Sequence, residues 1–278
     1  MKKIIAAIDG LKFSESTSNY AVHIAQELNA HLVGVFLDDA TYNSYKIYDL
    51  VVKEGVSDQK LKQYDEKDNE TRRTAAENFE KMCSDAGLNY SIHHDHNIAL
   101  KELLHESIYA DLLIIDAKET LTHYDEKQPT RFIRDLLAGV QCPVLLVPSR
   151  YKTVEKILFL YDGEPSSVYA VRMFSYLFPA FKHLEMELLS VKNPNQSLHL
   201  PDNKLMKELM KRHFPKTNYT VLKGSADEEI ADYLKSQTSN VLVVLGAYKR
   251  GRVSRWVSPS MADNLMKDLK LPLFITHN

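Results

Sequence analysis

Apolar residues in this chain gather in short unbroken runs, and the stretches between the runs carry apolar positions at helical spacing. The first run, residues 3–9 (KIIAAID), passes through Asp-Gly into a segment where Tyr20, Ala21, Ile24, Ala25 and Leu28 share a helical face. Residues 156–162 (KILFLYD) do the same, followed by Val171, Phe174, Leu177 and Phe178. Continuous apolar runs of this length predict strands covered on both faces, and strand–helix alternation predicts right-handed crossovers and a parallel sheet. In the second half, strands are predicted at about 156–162, 184–190, 218–223, 240–246 and 272–276. Helices are predicted near 166–179, 203–213, 226–236 and 259–269.

The two halves repeat each other. Asp9-Gly10 matches Asp162-Gly163 at an offset of 153 residues. Farther on the offset is 129 and holds without a gap, pairing Asn89-Tyr90 with Asn218-Tyr219, Leu113 with Leu242, Leu136 with Leu265 and Pro143 with Pro272. The change in offset gives the first copy about 24 extra residues between positions 38 and 88. Repeats of this length are whole domains rather than solenoid units. The expected organisation is therefore residues 1–150 and 151–278, joined at the polar stretch 149–155. The extra segment holds Tyr42, Tyr45 and Tyr48, then a charged helix over 58–86 with Thr71, Ala75, Phe79 and Met82 facing inward. The tyrosines are read as part of a cover over the sheet or as a lid or partner surface. The runs 143–148 and 272–276 would leave exposed apolar edges, so the copies are expected to pair there as an internal pseudo-dimer.

Composition narrows the function classes. Of 278 residues, 44% are hydrophobic, and 35 basic residues stand against 37 acidic ones. A net charge of −2 gives no global field for nucleic acid. The opening MKKIIAAIDG mimics an export signal, but its apolar run ends at Asp9, too early for export or for spanning a bilayer. No membrane association is expected. Cys83 and Cys142 form no metal or disulfide pattern, which points to a reducing cytoplasm.

Ligands of open parallel sheets sit beyond the carboxyl ends of the strands, at the topological switch point. That places Asp9 and Asp162 (strand one) and Asp116 and Leu245-Gly246 (strand four) at candidate sites. After strand four the second copy reads GAYKRGRVSRWVSPSMADNL. Gly246 and Gly251 permit close backbone approach; Lys249, Arg250, Arg252 and Arg255 supply positive charge; Ser258-Pro259 opens the next helix. These features suit a phosphate-bearing ligand, or a solvated basic loop. The first copy reads AKETLTHYDEKQPTRFIRDL there, with no glycine and with Glu119, Asp125 and Glu126, so no phosphate site is expected in it.

At these residues the sequence resembles the universal stress protein family in its tandem two-domain form, over nearly the whole chain. The resemblance rests on the Asp-Gly after strand one, the LGAYKRGRVSRW segment and the final apolar strand after a proline. It implies two tandem five-stranded parallel-sheet domains, doubly wound α/β and adenine-nucleotide alpha-hydrolase-like. ATP-binding members carry Gly, two residues, Gly, nine residues, Gly, then Ser or Thr. Here Gly246 and Ser260 match, while Lys249 and Pro259 replace glycines. In the first copy the same positions are Ala117, Thr120, Thr130 and Arg131. The implied nucleotide-binding residues are Asp162 beside the nucleotide, Val191 just after strand two at the base, and Gly246, Lys249, Arg250 and Ser260 at the phosphates. ATP or another nucleotide, held weakly in the second domain, is the expected ligand. A protein partner or a homodimer is carried beside it.

Other constellations point less far. His94 and His96 could share a strand face as half a metal site, or His93–His96 form a polar strand end with Asp95 or Asn97 capping the next helix; no metal site is expected. Ser14, Ser16 and Ser166 read as helix caps rather than nucleophiles. No catalytic residues are assigned, and an enzyme is not expected. The functions that remain are a stress-associated ligand-binding or signalling protein and a ligand-free interaction scaffold in which both pockets are degenerate.

Overall fold

The computed structural model describes residues 1–37, 43, 57–95, 98–195, 197–246, 265–266 and 270–276. The strands are β1 (Lys3–Ile8), β2 (His31–Leu37), β3 (Tyr90–Asp95), β4 (Leu112–Asp116) and β5 (Val144–Val147), then, at the runs predicted for the second half, β6 (Lys156–Leu160), β7 (Glu185–Lys192), β8 (Asn218–Lys223), β9 (Val241–Gly246) and β10 (Leu273–Thr276). Between them lie α1 (Glu15–Leu28), α2 (Asp58–Asp85), α3 (Ala99–Ser107), α4 (Arg131–Gly139), α5 (Pro165–Leu177), α6 (Asn203–His213) and α7 (Ala226–Lys235). All ten strands form one sheet in the order β3-β2-β1-β4-β5-β10-β9-β6-β7-β8. Each half thus has the order 3-2-1-4-5, and its strands are parallel.

The halves join by the one antiparallel pairing among the described residues, β5 with β10, where Leu273 faces Leu146 and Phe274 faces Leu145. This is the internal pseudo-dimer, and it removes two apolar edges at once. The core is continuous across the seam. On one face Phe274 of β10 packs edge-on against Phe174 of α5, with centroids 5.4 Å apart, in a cluster that also holds Leu145 and Ile4. On the other face Ile5, Val144, Leu158 and Ile275 share a second cluster. Alternate residues of a strand point to opposite faces, so both faces need cover, which explains the unbroken apolar runs.

The charged helix of the first copy is α2, and it buries Ala75, Ala76, Phe79 and Cys83. Phe79 meets Phe36 of β2 edge-on at 6.1 Å. Thr71, expected to face inward, is exposed, and Met82 is half-buried, because the apolar stripe covers only the C-terminal half of the helix. The Tyr42, Tyr45 and Tyr48 segment lies outside the described residues.

Three expected caps resolve differently. Ser14 does cap α1, accepting from the Thr17 N–H at 3.2 Å. Ser16 instead is buried and donates to the Pro148 carbonyl at 2.6 Å. Ser166 lies inside α5, whose N-cap is Glu164 with proline in the first turn, since Pro165 fits a position that needs no N–H. Helix α3 starts from Ile98 without a side-chain cap, and Asn97 lies outside the described residues.

The histidines of β3 diverge as alternation requires. His93 Nδ1 meets Glu106 Oε1 at 2.7 Å, and Glu106 Oε2 also takes Lys3 Nζ at 2.9 Å. Burial pushes the Glu106 carboxyl up, but hydrogen bonds from Lys3 and His93 outweigh it and hold the group below its usual range. His94 stacks on Phe36, centroids 5.6 Å apart. His96 lies outside the described residues. Among the described residues no group of three metal-ligating side chains comes together.

Candidate functional site at the carboxyl edge of the sheet

In each half the chain runs outward in opposite directions from the first and fourth strands, so the switch points are the crevices β1/β4 and β6/β9. The two crevices have different chemistry.

In the first half, the Asp9 carboxylate is buried and folds back on its own turn, accepting from the Leu11 N–H at 2.8 Å and the Lys12 N–H at 3.3 Å. Asp116 ends β4 and accepts from the Lys118 N–H at 2.8 Å. Glu119 bends back over the same loop and accepts from the N–H groups of Thr120 and Leu121 at 2.9 and 3.0 Å. The Thr130 hydroxyl, which caps α4, donates to the Glu119 carbonyl at 2.5 Å. A cavity of about 860 Å³ opens beside these groups, lined by Lys12, Ser14, Asp116, Glu119 and Asp125 among others. The cavity lies where the switch-point rule puts Asp9 and Asp116, although the motif positions in this half all lack glycine. The carboxylates inside it are as the sequence led one to expect.

Burial, then the charge of Asp9, then that of Asp116 push the Glu119 carboxyl up to about 7. Burial likewise pushes Asp116 up. Because Glu119 titrates higher in the folded chain than its ordinary 4.5, its favourable contribution is complete below about that pH and is lost as pH rises through about 7. Stability is therefore expected to fall by on the order of 2–3 kcal/mol between pH of about 5 and about 8. Glu119→Gln should remove most of this slope, since an amide oxygen can still accept from the two N–H groups. Urea unfolding of both proteins at the two pH values checks it; identical slopes would show that Glu119 is not the titrating group.

In the second half, Asp162 is half-buried and accepts from the Glu164 N–H at 2.9 Å. Gly163 follows with φ of +90°, and a Cβ there would lie 2.6 Å from Pro201 Cβ. Pro201 is in turn fastened by its carbonyl to the Tyr161 hydroxyl at 3.1 Å, so the segment after β7 covers the end of β6. Gly246 ends β9. A Cβ on it would stand 2.2 Å from the Ser166 carbonyl oxygen and 2.4 Å from the Ser166 carbonyl carbon. Its glycine is thus required by the first turn of α5, which presses directly on the strand end. Nothing in the sequence distinguishes this use of the glycine from room for a phosphate.

Val191 was expected just after strand two. It lies inside β7, which runs to Lys192 because Val191 and Lys192 continue in register with Leu222 and Lys223 of β8. Its side chain is 3% exposed and belongs to the core with Leu160 and Ile230. Lys249, Arg250 and Ser260 lie outside the described residues. Asp162 and Gly246 are therefore the expected site residues that the structure places at the β6/β9 switch point.

Among the described residues, no helix is long and apolar enough to cross a membrane. No protein-family model matches the chain. The chain is 21% identical over 288 aligned residues to universal stress protein Slr1230 of Synechocystis sp., covering 98% of this chain and 99% of that protein. In fold it is similar to a universal stress protein from Archaeoglobus fulgidus DSM 4304, with TM-score 0.71, 12% identity, and coverage of 99% and 98% of the two chains. It is also similar to a functionally unknown protein from Pseudomonas aeruginosa PAO1, with TM-score 0.55, 13% identity, and coverage of 100% and 92%. Along its whole length the chain is thus similar in sequence and in fold to universal stress proteins.

Proposed function

We propose that this is a stress-associated ligand-binding protein whose second domain takes a nucleotide or similar phosphate-bearing anion at the β6/β9 crevice. The division into domains 1–150 and 151–278 is part of the proposal. One observation carries it: four carboxylates, Asp116, Glu119, Asp125 and Glu126, line the β1/β4 crevice beside a buried Asp9 and outnumber its three lysines, whereas β9 ends on Gly246 and the sequence after it carries Lys249 and Arg250. Carboxylates repel phosphate, and cations at a strand's carboxyl end attract it. Asp162 lines the strand-one side, and Lys249, Arg250 and Ser260 are assigned to the phosphates. Pro259 stands at a glycine position and has no N–H to offer, so side-chain cations carry the load and the affinity is weak and salt-sensitive. Val191 fits this site poorly, since it packs in the core.

Calorimetric titration of ATP at low ionic strength tests this. The native chain is expected to bind in the micromolar range or weaker, roughly −8 kcal/mol or less favourable. Lys249→Ala with Arg250→Ala should weaken binding at least about tenfold, which is about 1.4 kcal/mol. Equal binding by both proteins would make the basic loop a solvated surface.

A second function, a ligand-free scaffold, is favoured by one contact. The Ser166 backbone already fills the space that Gly246 leaves, so that glycine needs no ligand to explain it. Absence of ATP binding by the native chain at low ionic strength would select the scaffold.

A further inference from the structure

The seam between the halves carries a cavity of its own, of about 370 Å³. Its wall is cationic: Lys118 from the loop after β4, Arg150 and Lys152 from the link between the halves, and Lys270 just before β10. Among the described residues no carboxylate lines it. Among the described residues Lys118 lies in the field of Asp116 without a direct ion pair, and Arg150, Lys152 and Lys270 make none either, in contrast to Lys3 and Lys156, each paired to glutamate. Its remaining lining is largely apolar, with Pro148, Met266, Leu271 and Leu273. Met266 and Leu273 are buried, so they form a floor under the charged rim.

This cavity shares Lys118 and Gln128 with the acidic crevice of the first half but is centred away from both switch points. Because β5 and β10 are antiparallel, the carboxyl edge of the first half meets the amino end of β10. Leu273, at the cavity, pairs with Val243, while Gly246 pairs with Thr276 at the other end of β10. Three residues of strand separate those ends, about 10 Å. Ser149 and Lys118 do adjoin the acidic crevice of the first half, where Asp116 accepts from the Ser149 hydroxyl at 3.5 Å. Asp116 itself lines that crevice and not the seam.

The internal repeat does not reproduce Lys118 or Lys270. At the offset of 129, Lys270 corresponds to Gln141, Leu271 to Cys142 and Lys118 to Ala247. The duplication alone therefore does not produce the cluster.

We propose that the seam cavity is a second anion site, selective for a compact phosphate monoester with an apolar body. Four cations around one space repel each other, and a dianion relieves that repulsion. The volume falls at the small end of the range for small-molecule pockets, roughly 300–1,000 Å³, which excludes extended ligands. The apolar floor gives an organic group a surface to cover, which inorganic phosphate cannot use. A ligand there touches the link and β10 together, so it would stiffen one half against the other.

Phenyl phosphate is the probe, titrated into the full chain at low ionic strength by calorimetry. The native chain is expected to bind it more tightly than inorganic phosphate, and to lose affinity as salt is raised. Arg150→Ala with Lys270→Ala should weaken binding at least about tenfold, while Lys249→Ala with Arg250→Ala should leave it unchanged. Circular dichroism of each variant confirms the fold, and both changes in the first variant are at exposed side chains. The proposal is overturned if phenyl phosphate does not bind the native chain, if the Arg150/Lys270 variant binds it equally well, or if inorganic phosphate binds as tightly. Loss of phenyl phosphate binding in the Lys249/Arg250 variant alone would move the site to the second domain and overturn the seam assignment. The β6/β9 proposal fails separately, on ATP.

Discussion

Replacing Gly246 by alanine is expected to destabilise the protein by about 3 kcal/mol, at the upper end of ordinary overpacking. The methyl group would stand 2.2 Å from a carbonyl oxygen and 2.4 Å from its carbon, both in the backbone of α5. No rotamer change can relieve a clash with backbone, so the helix must shift or β9 must bend. Either movement is opposed by Phe174 of α5, which is fully buried against Phe159, Phe178 and Phe274. The shift would also displace the turn at Asp162 and Gly163 that leads into α5, so ATP affinity should fall along with stability. In urea unfolding the midpoint should drop while the slope stays constant. An unchanged midpoint would mean that α5 does not press on the strand end as described.

Loss of Lys156 should cost a comparable amount by a different route. Lys156 opens β6, is nearly fully buried, and meets Glu187 at 2.7 Å, Glu185 at 3.0 Å and the Gln237 side-chain carbonyl at 3.1 Å. Glu187 is 3% exposed and also accepts from the hydroxyls of Thr220 and Tyr233. Burial pushes the Glu187 carboxyl up, but the hydrogen bonds from Lys156, Thr220 and Tyr233 outweigh it and hold the group below its usual range. Lys156→Met leaves that carboxylate buried without a cation, which typically costs about 3–5 kcal/mol. Removing both charges, Lys156→Met with Glu187→Gln, should recover a large part of the loss. The sign with pH follows from the lowered carboxyl: in the native chain this contribution is present above the usual carboxylate range and is lost on acidification. In Lys156→Met the deficit should therefore shrink as pH falls, since a protonated Glu187 needs no partner. A deficit that is independent of pH, or no deficit, would show that the ion pair is not what holds this end of β6.

The fold was legible because its signal is carried by burial. KIIAAID and KILFLYD read as strands covered on both faces, and β1 and β6 are nearly wholly buried. The offset of 129 matched β4 with β9 and β5 with β10 as repeats, and pairing at the seam followed from two apolar edges that needed cover, while its antiparallel direction came from the structure. The site was less legible, because its residue types serve packing and ligand binding equally. Gly246 looked like room for phosphate and is occupied by the Ser166 backbone. Val191 looked like a loop residue because the apolar run was read to 190, yet pairing with β8 carries the strand to Lys192. Ser166 looked like a cap, but Pro165 in the first turn makes Glu164 the N-cap residue. The seam cavity could not be read at all, since Lys118, Arg150 and Lys270 are brought together only by the antiparallel pairing.

Native mass spectrometry of the full chain with ATP and magnesium, at low ionic strength, tests most directly whether the two halves have divided their roles. One nucleotide per chain is expected, retained in Asp116→Asn and in Arg150→Ala with Lys270→Ala, and lost in Lys249→Ala with Arg250→Ala. Two nucleotides per chain, or one that survives the Lys249 and Arg250 changes, would contradict a site confined to the second half.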